Sequence, residues 1–484
     1  MLFNSFNFLI FFPAVVLAYF LIPQKIRYLW LLAASYYFYM CWNPKYVLLL
    51  LFSTGVTFLG GLAIERFQNK KTFLTLTVIA NLTVLFAYKY FDFAMDNLNW
   101  ILNKFHIQAI DPGFDILLPV GISFYTFQAL GYTIDVYRKE IYAEKNFLKY
   151  ALFVSFFPQL VAGPIERSKN LLKQVSEKHT FDYDRMRKGL LIMLWGYFLK
   201  LVIADRAAIF VNVVYGDYVS YGGIYIVIAT LLFAVQIYCD FAGYSTIAKG
   251  AALIMGFRLM ENFEAPYFAK SVAEFWRRWH ISLSGWFRDY LYIPLGGNRK
   301  GKLRKQLNTM IVFLVSGLWH GASWNFVIWG GLNGFYQVVG MWWQDLRGKI
   351  VGKTAKNICI NVCKTIVTFI LVDFSWLFFR ADSIRDAFAM LKSMLTVKNF
   401  SVLTDGSLFG LGLNQYHFWF LLLAIAILWI TDYFKYKNVD LFEKIEKQNV
   451  AVRYFVYMCL FCAVVLFGIY GVDYEASQFI YFQF

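Results

Sequence analysis

Stretches of about twenty residues with few or no charges, the length a helix needs to cross a hydrocarbon core, recur from one end of this chain to the other. The first 24 residues contain no Asp, Glu, Lys or Arg, and none occurs from Gln306 to Gln344. Backbone immersed in lipid must satisfy its N–H and C=O groups internally, which limits such segments to helices that span or re-enter the bilayer. Hydrophobic side chains make up 60% of the 484 residues, against about 45–50% in ordinary soluble chains. The expected fold is an all-α polytopic membrane protein, a single integral membrane domain over residues 1–484 with no soluble domain. The opening stretch lacks the basic n-region and the A-x-A site of a cleaved signal and reads as a retained first span.

A formal net charge of +16 would suggest nucleic acid in a soluble protein. In a polytopic one the first question is on which side the cations fall. Basic clusters occur at Lys25/Arg27, Arg66/Lys70/Lys71, Arg138–Lys149, Arg167–Lys188, Arg299–Lys305, Arg347–Lys356 and Lys435–Arg453. The connectors between them are poor in positive charge: Trp42–Lys45, the acidic Lys89–Asp115, Ala207–Cys239, and a tail after Gly471 with acids only. The clusters are assigned to the cytoplasm and the poor connectors to the outside, which gives about ten crossings and puts both termini outside.

Two segments resist this alternation. Ala151–Ile165 has basic clusters on both sides and is interrupted by Pro158 and Gly163-Pro164. Asn308–Trp343 is bracketed in the same way and broken near its middle by Gly317, His320 and Gly321. Both are expected to re-enter, and non-helical backbone at that depth implies an internal cavity. Lys200, Asp205 and Arg206 fall in or near a span, with the adjacent Asp and Arg read as a self-compensating pair. Residues 271–293 place Val272, Trp276, Trp279, Leu283, Trp286 and Tyr290 on one stripe and Glu274, Arg277, Arg278 and Arg288 opposite. That is an amphipathic helix in the cytoplasmic interface, with His280 about 80° from the centre of the apolar stripe, on its border.

The chain has no G-x-S-x-G, no H-E-x-x-H, no Walker loop and no G-x-G-x-x-G after a strand, which removes the common hydrolase and nucleotide-binding signatures. The six cysteines are scattered, and Cys459-Leu-Phe-Cys462 lies inside an apolar span, where small core residues outweigh redox or zinc chemistry. His106, His179 and His417 sit in connectors or at a span end, and the five histidines form no sequence-local metal cluster. His320 differs, because an ionisable group at membrane depth is costly and marks a functional site. Five glycines between 317 and 334 permit close approach, and Trp319, Trp324 and Trp329 supply an apolar wall with N–H donors. An imidazole that titrates near neutrality suits a general base, although Ser316, Ser323 or Asn325 would also satisfy a purely structural ring. His280 is open between the two readings. Asp240, in Tyr238-Cys-Asp-Phe-Ala-Gly-Tyr244, ends an apolar span and suits either an orienting carboxylate or a cap on the next helix.

The stretches MLFNSFNFLIFFP, LPVGISFYTFQALGYTIDVYR (118–138), FFPQLVAGPIER (156–167), YCDFAGYSTIAKGAALIMGF (238–257), EFWRRWHISLSGWFRDYLYIPLGGNR (274–299), SGLWHGASWNFVIWGGLNG (316–334) and FSWLFFRADSIRDAF (374–388) together resemble the membrane-bound O-acyltransferase superfamily, in its bacterial alginate O-acetylase branch. The resemblance runs in order over nearly the whole chain. It implies a ring of about ten transmembrane helices with re-entrant and interfacial helices around a central tunnel, a catalytic core over about 115–345 and C-terminal helices over 357–472. Carried over by motif, the essential tunnel histidine is His320 and the second motif histidine is His280.

The resemblance further implies transfer of an acyl group, acetyl by preference, from a cytoplasmic thioester such as acetyl-CoA to an extracytoplasmic polysaccharide of alginate, cellulose or peptidoglycan type. No cofactor or metal is expected to be resident. His320 would take the acceptor's proton, Trp319, Ser323 and Asn325 are candidate donors to the oxyanion, and Arg277 and Arg278 would meet the donor's phosphates. His280 would line the same route or support the donor carbonyl, and Asp240 is a further candidate for substrate binding. Expected partners are an extracytoplasmic SGNH-type esterase/transferase, the polysaccharide and membrane lipids, without nucleic acid, in a bacterial inner membrane. The alternatives are D-alanyl transfer to teichoic acid and a glycan or lipid transporter, the latter because discontinuous helices also build transport sites.

Overall fold

The computed structural model describes residues 1–110, 118–161, 163–350, 358–470 and 480, except for the side chains of 347–350. The basic cluster at 347–356 apart from the backbone of its first four residues, residues 111–115 of the acidic connector, and the tail beyond 470 apart from Ile480 lie outside the described residues. Everything described is helix, turn or coil, with no strand among the described residues.

The chain opens with α1 (Phe6–Leu21), α2 (Arg27–Met40), α3 (Val47–Arg66) and α4 (Lys70–Leu85), the last passing through a π-turn, Phe86–Tyr90, into α5 (Phe91–Lys104). There follow α6 (Ile122–Tyr137), α7 (Phe147–Ser155), the single turn α8 (Phe157–Leu160) and α9 (Ser168–Ser176). Next, α10 (Tyr183–Tyr197) runs through a second π-turn, Phe198–Ala204, into α11 (Asp205–Gly216), and α12 (Ile224–Met255) returns. The remaining elements are α13 (Val272–Arg278), α14 (Ile281–Phe287), α15 (Gly301–His320), α16 (Trp324–Ile350), α17 (Ile358–Arg380), α18 (Ile384–Thr396), α19 (Gln415–Tyr436), α20 (Leu441–Glu446) and α21 (Val450–Phe467).

By length and composition six helices can cross a membrane: Pro44–Arg66, Lys70–Lys104, Ile224–Met255, Ile358–Arg380, Gln415–Tyr436 and Val450–Phe467. The other four crossings anticipated from charge alternation fall on α1, α2 and α6, at 14–16 residues each, and on the α10–α11 rod, which carries Lys200, Asp205 and Arg206. These are shorter than the roughly twenty residues a perpendicular span needs, or interrupted by charge, so ten stays an expectation. Burial ranks the spans: 72% of the apolar window of α12 is buried inside the protein, against 6% of that of α21. The central post is therefore α12, and α21 faces outward.

What seats α12 is glycine. A Cβ on Gly250 would lie 2.6 Å from the Gly189 carbonyl oxygen, and one on Gly243 would lie 2.9 Å from that of Gly196. The pairs are seven residues apart on both helices and run in opposite order, so α10 and α12 pack antiparallel with backbones in contact. This is the use of small residues expected where lipid supplies no hydrophobic drive to associate.

The two re-entrant candidates fold differently. In the first, α7 has nine residues, about 13 Å of helix, and cannot span. It is buried from Tyr150 to Val161, broken at Phe156, and restarted with Pro158 in the first turn of α8, where a missing N–H costs nothing. The second is a helical hairpin, α15 against α16, closed by Gly321–Ser323. Gly317 faces the Phe326 carbonyl and Gly330 faces that of Phe313 so closely that a side chain at either would collide with backbone.

Candidate active site

His320 is the last residue of α15. The uncharged part of that helix starts at Gln306, so about 22 Å of helix separates His320 from the basic residues at the helix start. A second ruler agrees: Lys89, whose ammonium meets the same helix end, lies 18 residues beyond Lys71, about 27 Å of helix. Both lengths separate the histidine from flanking basic residues by more than half of the roughly 30 Å thickness of a hydrocarbon core.

Its surroundings are aromatic. Ring centroids of Trp319 and Trp329 lie at 5.0 Å and that of Phe379 at 5.5 Å, all edge-on, and the residue is 4% exposed. The C-terminus of α15 presents carbonyls that the helix cannot satisfy itself. Lys89 Nζ donates to Trp319 O at 2.8 Å and to His320 O at 3.0 Å, and Tyr90 Oη donates to Leu318 O at 2.9 Å. Both donors come from the π-turn between α4 and α5, a distortion that recurs at functional sites. A cation at a helix C-terminus also meets the negative end of the dipole.

A cavity of about 40 Å³ opens against the ring, lined by His320, Trp319, Lys89, Ser123, Phe124 and Val161, among others. That is room for a water or a hydroxyl group. The Nε1–H of Trp319 is buried and has no acceptor among the described residues.

The second histidine also packs near Trp319, with ring centroids 6.0 Å apart. Residues 271–293 are not one interfacial helix. Helix α13 stops at Arg278, His280 takes a left-handed conformation (φ 44°), and α14 starts anew at Ile281. The anticipated stripe from Val272 to Trp286 is buried, but His280, placed on its border, is fully buried too. Breaking the helix turns the imidazole inward, against Phe241 (4.7 Å) and Phe124 (6.3 Å). Asn262 holds it. Asn262 Oδ1 accepts from the Ser282 hydroxyl at 2.8 Å and from His280 Nδ1 at 3.1 Å, while Asn262 Nδ2 donates to Ser245 at 3.1 Å. Since Oδ1 is an acceptor, Nδ1 carries the proton and Nε2 is the basic nitrogen.

The other candidates divide. Asn325 Nδ2 donates to the Ala381 carbonyl at 2.5 Å, so this amide ties α16 to the end of α17. Ser323 Oγ accepts from Asn325 N at 3.3 Å at the start of α16. Both shape the hairpin tip. Arg277 is exposed, whereas Arg278 donates to Glu274 at 3.0 Å and to Glu264 O at 3.1 Å, and lies 4.9 Å over the Tyr436 ring.

Asp240 neither ends a span nor caps a helix, because α12 runs through it without interruption. It meets Lys200 Nζ at 2.6 Å, and Lys200 meets Asp205 at 2.7 Å, so two carboxylates share one ammonium inside the protein. The expected Asp205–Arg206 pair is thereby replaced. A helix turns adjacent side chains about 100° apart, and Arg206 instead donates to Phe467 O at 2.5 Å and covers the Phe420 ring.

Sequence reasoning missed Lys89 and Asn262. In the sequence Lys89 reads as the start of an outer connector, yet a lone lysine inside a helical run from Lys70 to Lys104 is the kind of costly intramembrane charge that marks a site. Asn262 lies in a loop and carries no comparable signal. Three or more His, Cys, Asp or Glu grouped as for a metal do not occur among the described residues.

Residues 138–380 match the model of the membrane-bound O-acyltransferase family. Among similar proteins, a probable alginate O-acetylase of Pseudomonas aeruginosa is 38% identical over 88% of this chain and 81% of its own length. A peptidoglycan O-acetyltransferase of Helicobacter pylori is 35% identical over 83% of this chain and 81% of its own length. A teichoic acid D-alanyltransferase of Streptococcus thermophilus is 29% identical over 49% of this chain and 60% of its own length. The chain therefore belongs to the membrane-bound O-acyltransferase family, as a multi-pass membrane acyltransferase.

Proposed function

We propose that this protein transfers an acetyl group from a thioester donor on the basic, cytoplasmic face of a bacterial inner membrane to a hydroxyl of an extracytoplasmic polysaccharide. The transfer is direct or goes through a partner of SGNH type. The observation that carries the reading is the setting of His320: a titratable ring at the end of a long uncharged stretch of helix, in an aromatic wall, beside a cavity that a lysine also lines. The two similar O-acetyltransferases, which cover more than four-fifths of this chain, favour acetyl. The teichoic acid relative matches about half of the chain and supports D-alanyl transfer less.

In the proposed step the acceptor hydroxyl gives its proton to His320 as its oxygen forms a bond to the thioester carbonyl carbon. The electron pair of that carbonyl moves onto its oxygen. An ammonium has three N–H donors, of which Lys89 directs two to the end of α15. The third, with the Trp319 indole N–H, is assigned to the oxyanion. Donors fixed in a site that excludes water supply the largest share of such catalysis. Collapse breaks the C–S bond, and the leaving thiolate takes the proton from the imidazolium, so the ring returns to its starting state. His280, held through Asn262 beside Trp319, is assigned to support of the donor. Arg277, exposed at the end of α13, is assigned to the donor's phosphates.

The test uses the full chain in sealed inside-out vesicles with labelled acetyl-CoA outside. Wild type is expected to place label in an O-acetyl product in the lumen. His320→Ala is expected to insert at normal abundance and lose about 10²–10⁴-fold of the rate. Full transfer by that variant would remove His320 from the role of base.

A further inference from the structure

A second and larger cavity, about 240 Å³, opens on the basic face between the start of α2 and the α7–α9 pair. Lys25, Arg27 and Lys149 line it with Ser176 and Tyr28, and no Asp or Glu is among its described lining residues. All three cations are engaged, if at all, by neutral groups. Arg27 donates to the carbonyls of Ile22 (2.8 Å), His179 (2.6 Å) and Phe20 (3.2 Å) and to Gln24 Oε1 (3.0 Å). Lys149 Nζ donates to Ser176 Oγ at 3.1 Å and lies 5.8 Å over the Tyr28 ring, and Lys25 is exposed. Carbonyl and hydroxyl acceptors orient these groups without cancelling their charge, so three positive charges converge on one hollow.

Beside its cationic lining residues in the chain stand outward-facing hydrocarbon side chains: Ile26, between Lys25 and Arg27, is 48% exposed and Leu148, next to Lys149, is 42% exposed, and Leu21, at the end of α1, is 76% exposed. A cationic hollow whose lining residues neighbour outward-facing hydrocarbon matches a molecule that has a phosphate at one end and acyl chains at the other. Basic pockets between helices on the cytoplasmic side bind such headgroups.

We propose that this cavity holds the phosphate headgroup of an anionic phospholipid, clasped by Lys25 and Lys149 in the field of Arg27, with its chains lying along α1 and α7. The site is distinct from the one at His320, though joined to it by one element. The run from Lys149 through α7 and α8 ends at Val161 in the wall of the His320 cavity.

The experiment measures lipid binding to the full-length protein by native mass spectrometry, titrating phosphatidylglycerol and phosphatidylcholine of equal chain length. Wild type is expected to prefer phosphatidylglycerol. Lys25→Gln/Lys149→Gln is expected to bind it about 30-fold more weakly, about five- to sixfold for each cation lost. Lys70→Gln/Lys71→Gln, the same charge change at the start of α4, is expected to bind like wild type. Arg27 is left in place because its four bonds hold the α1–α2 turn against His179. Equal binding of the two lipids, an equal loss in both double variants, or displacement of phosphatidylglycerol by millimolar coenzyme A or inorganic phosphate would each overturn the assignment, the last by giving the cavity to a soluble phosphate ligand. Because the readout is binding, the result does not depend on whether the acetyl-transfer reading holds.

Discussion

Lys89→Met is the substitution that most directly tests how the site is held. Methionine keeps the length and apolar stem of lysine and removes the ammonium, and with it the bonds at 2.8 and 3.0 Å to the last two carbonyls of α15. Leaving a buried acceptor unsatisfied costs about 1–3 kcal/mol, so the tip of the hairpin loses about 2–6 kcal/mol locally. The body of the hairpin does not depend on Lys89: the Gly317–Gly330 contact packs α15 on α16, and Tyr90 still donates to Leu318 O. The protein is therefore expected to insert and accumulate normally while the last turn of α15 loosens. Loss of one oxyanion donor lowers kcat by about 10²–10³-fold, and a shift of about 1 Å in a reacting group costs a comparable factor. The assay is single-turnover thiol release from the donor by purified protein in nanodiscs, with acceptor present and KM measured in parallel. A fall in kcat of about 10²–10³-fold with a nearly constant donor KM is expected, with partial recovery in Lys89→Arg, which keeps the charge but not the compact geometry. A wild-type kcat at normal abundance would refute the reasoning, and a loss confined to abundance would reduce Lys89 to a helix cap.

Three further outcomes follow from the packing. Arg277→Ala is expected to raise the donor KM and leave the melting temperature unchanged, whereas Arg278→Ala, which loses Glu274, Glu264 and Tyr436, is expected to destabilise by about 1 kcal/mol or less; thermal melting and KM on both variants check this. Lys200→Met leaves Asp205 and Asp240 facing each other in the interior and is expected to cost about 3–5 kcal/mol, while Asp240→Asn keeps a matched Lys200–Asp205 pair and costs less; membrane abundance of the two variants should rank them so, and the reverse order would contradict the shared-ammonium picture. Gly250→Leu is expected to force α10 from α12, because even a Cβ there would meet the Gly189 carbonyl at 2.6 Å, and Gly55→Leu, with open space around it, serves as the tolerated control in a folded-yield measurement.

Much of this was legible in the residues themselves. Helical membrane architecture follows from uncharged stretches of spanning length, because lipid offers the backbone no other partner. The break in Asn308–Trp343 could be read from glycines and an imidazole bracketed by basic clusters, and the break in Ala151–Ile165 from its prolines. His320 stood out because a buried charge-bearing ring is costly wherever it lies. The motifs around His280 and His320 indicated the family that the wider match then established.

Other features depend on distances between parts of the chain that lie far apart, and periodicity within one segment cannot show them. A helical wheel carried through residues 271–293 left His280 on a border; the chain breaks there because Asn262, 18 residues away, holds the ring in a position a straight helix cannot reach. Asp240 looked available for a substrate until Lys200 arrived from a π-turn on another helix. Lys89 and His320 are separated by 231 residues. The sequence by itself determined that this chain folds as membrane helices around an unusual histidine, because the cost of charge and bare backbone in hydrocarbon acts on each segment alone. Tertiary structure decided which cation closes the helix that ends in that histidine and which carboxylates were already neutralised, because those are contacts between segments, set by how glycine-seated helices pack.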